Sequence, residues 1–162
     1  MEKLKKDLIK LLGENAKYSY KQMASMLGVL EVDVEKAVKE MEKDGVILKY
    51  AAIFDTESIE DSVEALIEVK VAPQKLNGFD SYAETIYQFP EVKSLYLMSG
   101  GFDLAIFVEG KNLTDLSKFV AEKLSVIDGI TAVQTHFVLK KYKVEGQITG
   151  KPQERKRQII GA

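Results

Sequence analysis

The residues with most chemical potential in this 162-residue chain lie in the stretch Met98, Ser99, Gly100, Gly101, Phe102, Asp103. Paired glycines permit tight turning, positive φ and close approach of another backbone or a small ligand. A turn there exposes amide donors. Two readings stand: an ordinary hairpin turn with Asp103 capping its own loop, or a small-molecule contact. His136 is the only histidine, and it reads either as a pH-sensitive contact or as a polar residue with a satisfied ring. There is no cysteine, so disulfides, thiolate catalysis and cysteine-ligated metals are excluded together. No Ser-His-Asp set or phosphate-binding glycine motif is present. The segment GKNLTDLSK lacks phosphate-loop spacing, and its Asn112 or Thr114 is expected to cap a helix. The chain is therefore expected to be no enzyme and to need no cofactor or metal.

The charge distribution matters more than the net charge of −2. Arg155 and Arg157 are the only arginines, both in the last eight residues. No apolar run approaches the ~20 residues of a membrane helix. The opening MEKLKKDL lacks the apolar core of a signal peptide, so a cytoplasmic protein with no membrane partner is expected.

The elements that must position these residues fall into two groups. Leu4, Leu8, Leu11 and Leu12 have the spacing of a helix, with Gly13 as its expected stop. Ser19 caps a second helix, with Gln22 completing a capping box and Gly28 ending it. A third helix is expected over 31–44 with Val34, Ala37, Val38 and Met41 inward and Gly45 as its left-handed cap. Three short helices with a tight turn between the last two form a helix-turn-helix arrangement. VILKYAAIF, residues 46–54, is expected to be the strand of its wing. The acidic stretch 55–62 reads as a linker.

From residue 64 the pattern alternates: Ala65, Ile67, Val69 and Val71 point one way and Glu64, Glu68 and Lys70 the other, until Pro73. Phe79, Tyr82, Ala83, Ile86 and Phe89 recur at helical spacing before Pro90. Strands are expected at 92–98, 102–108 and 130–139, and a second helix carries Leu113, Leu116, Phe119, Val120 and Leu124. The fold class is thus α+β: a winged helix-turn-helix over 1–54, then a ferredoxin-like βαββαβ domain over 63–143. Helices on one side leave a sheet face holding Leu66, Tyr96, Met98, Ile106 or their alternating neighbours. That is too much apolar surface to leave wet, and at least a dimer, packed sheet on sheet, is expected. Residues 144–162 read as a mobile tail with Lys151, Arg155, Lys156 and Arg157.

The chain resembles the Lrp/AsnC, or feast/famine, transcriptional regulators. The resemblance is carried by KKDLIKLLGENAKYSYKQMASMLGV, MEKDGVILKYAAIFD, FPEVKSLYLMSGGFDLAIFVEG and THFVLKKYK, and spans about residues 3–143. It implies an N-terminal unit that binds double-stranded DNA, a C-terminal unit that dimerises and assembles further, often to octamers, and a small effector, usually an amino acid, bound between subunits. It places the effector at Met98, Ser99, Gly100, Gly101, Phe102 and Asp103, with Gln134, Thr135, His136 and Phe137 as neighbours or cross-subunit partners. DNA contact is expected from Lys17, Tyr18, Ser19, Lys21, Gln22, Val32, Asp33, Glu35, Lys36 and Lys39. This chain departs from the family pattern where Leu30 replaces a capping Ser and where the third helix carries six acids against three lysines, a net of −3. DNA binding depends on phosphate neutralisation, so a second reading is a metabolite sensor or protein partner that has lost specific DNA binding. Some relatives of this architecture act as sirohaem decarboxylases, but acidic tetrapyrroles call for clustered Arg and His, and residues 1–143 have no arginine.

Overall fold

The computed structural model describes residues 2–55, 62–72 and 78–150. Pro73, most of the expected linker and the four basic residues of the tail lie outside the described residues. The chain divides into two compact units, residues 1–53 and 54–162.

The first unit holds α1 (Glu2–Glu14), α2 (Tyr20–Leu27) and α3 (Glu31–Lys43). Leu8, Met23, Ala24, Val34, Ala37, Val38 and Met41 form its core, and Leu4, Leu11 and Leu12 pack against it. The apolar spacing thus places one face of each helix inward. Helix α1 runs through Gly13, the expected stop, to Glu14. Ser19 caps α2 as expected: its hydroxyl accepts from the Gln22 amide at 3.2 Å, and the Gln22 side chain accepts from the Ser19 amide at 2.9 Å. Gly28 closes α2 at φ 65°. Leu30 precedes α3 without a side-chain cap. Gly45, at φ 71°, lets the Val46 amide turn back onto the Met41 carbonyl at 2.9 Å.

The expected wing strand is not formed. Residues 46–54 carry no ladder, and Val46, Leu48, Tyr50, Ile53 and Phe54 are exposed. A strand needs a neighbouring backbone to pair with, and none is described beside this segment. Its start is held by the Val46 and Ile47 amides, which donate to the Met41 carbonyl at 2.9 and 3.1 Å, and its middle by the Tyr50 hydroxyl, which donates to Glu42 of α3 at 2.8 Å.

The second unit runs β1 (Val63–Val71), α4 (Asp80–Ile86), β2 (Val92–Leu97), β3 (Leu104–Gly110), α5 (Leu113–Lys118) and β4 (Ile130–Phe137). The strands pair antiparallel in the order β2-β3-β1-β4, the expected βαββαβ sandwich. Asn112 caps α5 by accepting from the Asp115 amide at 2.9 Å, and the helix continues as a π-helical turn, Phe119–Leu124. The core lies between the helices and one sheet face, built from Ala65, Ile67 and Val69, from Tyr82 and Ile86, from Leu104, Ile106 and Val108, and from Leu116, Phe119 and Leu124.

One face assignment is corrected. Ile106 pairs with Ile67 and is fully buried under the helices, whereas Phe107 pairs with Leu66 on the other face. The start of the expected mobile tail is also ordered. Lys143–Val144 (β5) and Gln147–Ile148 (β6) form a hairpin turned by Glu145 at φ 44° and Gly146 at φ 82°, the twist a two-residue hairpin loop needs. The Gly150 amide then donates to Asp55 at 3.0 Å.

Candidate functional site

On α3, side chains at Val32, Lys36, Lys39 and Lys43 recur at spacings of four, three and four, which places them in one line opposite Val34, Ala37, Val38 and Met41. With Glu35 and Glu40 they border a shallow groove of about 410 Å³. The flanking acids are engaged. Glu35 accepts from Lys39 at 2.7 Å, Glu40 pairs with Lys5 of α1 at 3.0 Å, and Glu42 holds Tyr50. The Glu35 hydrogen bond holds the Lys39 ammonium above the usual lysine range, and the Lys5 hydrogen bond holds Glu40 below the usual carboxylate range. Partial desolvation of the half-exposed Tyr50 ring, then the bond to Glu42, pushes its phenol up to about 12. The net of −3 belongs to residues 31–44; α3 itself, with Asp44 as its C-cap, carries five acids against three lysines, a net of −2, and its outward line is one valine followed by three lysines. Lys43 was missed by counting charge; reading the 3.6-residue period would have found it.

The other residues expected at DNA are placed differently. Asp33 is exposed at the first turn of α3. Lys17 and Lys21 are exposed near the start of α2, and Tyr18 packs on the three-helix core. Ser19 and Gln22 are occupied with each other in the capping box.

In the second unit, residues 98–103 join β2 to β3. The Met98 amide donates to the Asp103 carbonyl at 2.8 Å, and Gly100 adopts φ 154°, a backbone conformation that favours glycine. Ser99, Gly100 and Gly101 are exposed, and Phe102 is half-buried. Asp103 faces β1: its amide donates to the Val69 carbonyl at 2.9 Å, and its Oδ2 accepts from the Val71 amide at 2.9 Å. Its carboxylate thus ties the loop to the sheet, a role neither local reading contained.

The four β4 residues split by strand alternation. Gln134 and His136 pair with Glu68 and Leu66 on the open face, while Thr135 and Phe137 pair with Ile67 and Ala65 on the helix side. His136 Nε2 lies 3.3 Å from Glu68 Oε1, an ion pair whenever the ring is protonated. Strand β1 separates β4 from the β2-β3 loop, a gap of about 10 Å at ~4.8 Å per strand, so one chain does not gather all ten residues around one small molecule. Across the open face run two rows, Tyr96-Ala105-Glu68-Gln134 and Ser94-Phe107-Leu66-His136. Tyr96 on the edge strand β2 and Phe107 on β3 meet edge to face at 6.0 Å and are 53% and 42% exposed, so an aromatic pair stands in solvent on the β2 side of this face.

The first unit thus presents a cationic helix line, and the second an exposed aromatic and imidazole sheet face beside a loop with exposed glycines. Among the described residues no group of three or more His, Cys, Asp or Glu is placed to hold a metal, and no helix is long and apolar enough to cross a membrane.

The Lrp/AsnC ligand binding domain family matches residues 64–148. An uncharacterized HTH-type transcriptional regulator of Bacillus subtilis, YugG, is 37% identical over 156 residues, covering 95% of this chain and 94% of its own. The HTH-type transcriptional regulator LrpA of Pyrococcus horikoshii is 30% identical, with 85% and 96% covered. Among solved structures, the Neisseria meningitidis regulator NMB0573 in complex with L-Met superposes with a TM-score of 0.70 at 23% identity, covering 95% of this chain and 97% of that one. AsnC of E. coli gives 0.68 at 20% identity, covering 89% and 95%. The chain belongs to the Lrp/AsnC family of transcriptional regulators, which are regulators and not enzymes.

Proposed function

We propose that this protein is a cytoplasmic, DNA-binding homo-oligomer whose contact with double-stranded DNA responds to an amino acid or a similar small metabolite. Residues 1–53 serve as the helix-turn-helix unit and the βαββαβ unit as the assembly and effector unit. The observation that carries this reading is the outward line Lys36, Lys39, Lys43 on α3, with the neighbouring Glu35, Glu40 and Glu42 each bonded within the unit. Lys36 and Lys43, together with Lys39 once a phosphate displaces Glu35 from it, offer ammonium groups along one helix face to a phosphate backbone. Assembly through the open sheet face, centred on Tyr96 and Phe107, multiplies weak individual contacts into avidity.

The effector reading is supported by the free amides of the Ser99-Gly100-Gly101 loop and by the family's members, one of which was solved with L-Met. With Asp103 committed to Val71, an effector ammonium requires another acceptor, and Glu68 or Gln134 of a neighbouring copy supplies the chemistry. The test has two arms on the full-length protein: fluorescence anisotropy on DNA from upstream of its own gene against random competitor, and a thermal-shift screen of the twenty amino acids. Competitor-resistant binding, together with a shift from at least one amino acid at millimolar concentration, is expected. Binding of an amino acid without any DNA binding would favour the sensor reading instead.

A further inference from the structure

The first turn of α3 differs in chemistry from the turns that follow it. Leu30 is 70% exposed and Val32 is 67% exposed, although an apolar core lies one turn away at Val34, Ala37 and Val38. Helix α3 contains no arginine, asparagine or glutamine, so the side chains that read guanine or adenine through two hydrogen bonds are absent from it. The outward line begins with Val32 and only then becomes Lys36, Lys39 and Lys43. In helix-turn-helix docking the second helix lies in the major groove and its N-terminal residues meet base edges.

Building on the DNA-binding reading above, we infer that Val32, flanked by Leu30, is the specificity-determining residue and that it contacts the C5-methyl group of thymine. That methyl is the apolar feature of the major-groove edge, and apolar side chains are its partners. The lysines behind Val32 supply the charge complementarity that seats the helix on the backbone. The exposed carboxylates of Glu31 and Asp33 on either side face a cytosine amine favourably and the acceptor edge of guanine unfavourably. The operator half-site is accordingly pyrimidine-rich on the strand under the first turn of α3, with thymine at the Val32 step.

The experiment selects binding sites from random duplexes with the full-length protein, then replaces each thymine of the selected half-site singly with deoxyuridine and measures anisotropy. Deoxyuridine keeps the base pairing and removes only the methyl. Losing one buried methyl is expected to weaken binding about fourfold, and about fifteenfold when both half-sites of a dimer are changed. Val32→Ala, checked by its melting curve, is expected to bring the preference for thymine over uracil within about twofold. If every thymine tolerates replacement within about twofold while selected DNA still outcompetes random DNA, methyl reading is overturned and the regulator reading stands. If duplexes bind but no sequence is enriched, this inference alone is overturned; if no duplex binds at all, the DNA-binding reading fails and takes this inference with it.

Discussion

Replacing Glu35 by Gln should make the protein bind DNA more tightly and with a steeper dependence on salt. Glu35 accepts the Lys39 ammonium at 2.7 Å on the groove side of α3, so it both occupies one of three outward lysines and adds a negative charge where phosphates would lie. Each phosphate neutralised contributes about −0.9 to the slope of log K against log salt. Freeing one charge per helix therefore steepens the slope by about 0.9, or about 1.8 for a dimer with both helices engaged. At an ionic strength near 0.1 M that corresponds to affinity gains of about eightfold and sixtyfold. The assay is anisotropy on one duplex at four or more salt concentrations, with Glu84→Gln on α4 as a charge-matched control in the other unit. A slope for Glu35→Gln equal to wild type and to the control would refute the placement of the α3 lysine line against the backbone.

Three further outcomes are expected. A Cβ on Gly129, which sits at φ 87°, would lie 2.1 Å from the Tyr82 hydroxyl and disturb that hydroxyl's bond to the Ala72 carbonyl, so Gly129→Ala should cost about 2 to 4 kcal/mol in urea unfolding. Phe107→Lys, which puts a charge beside Tyr96 on the open face, should shift the protein toward monomer in light scattering, and an unchanged oligomer would remove that face from the interface. Partial desolvation and the Glu42 bond push the Tyr50 phenol up to about 12, above the ordinary tyrosine value of about 10. Because its folded value is raised, its contribution to stability is present below pH 10 and is lost as pH rises through 10 to 12. An ultraviolet titration should show a late phenolate step that Tyr50→Phe abolishes.

Local signals in the sequence were legible where a few residues settle the outcome. The Ser19-Gln22 capping box and the left-handed glycines at 28 and 45 need nothing from the rest of the chain. The alternation of β1 was clean because Glu64, Glu68 and Lys70 mark its open side. β3 reads Leu-Ala-Ile-Phe-Val, a continuous apolar run with no phase of its own, and only pairing with β1 decides that Ile106 goes in and Phe107 out. The wing was over-read for a related reason: strand propensity at 46–54 does not provide a partner strand. Asp103 was opaque because its acceptor role depends on Val71, 32 residues away. The hairpin at 143–148 was missed because its Glu-Gly turn puts a non-glycine residue at positive φ, a weaker signal than Asn-Gly.

The measurement that bears most directly on the account is hydroxyl-radical footprinting of the full-length protein on DNA upstream of its own gene, with and without the amino acid that stabilises it. The account predicts protected backbone segments recurring at about one helical turn, 10 to 10.5 base pairs, with a spacing or extent that the effector changes. Uniform cleavage at protein concentrations where the oligomer is intact would contradict it and leave the acidic residues of α3 as the mark of a helix that does not engage DNA.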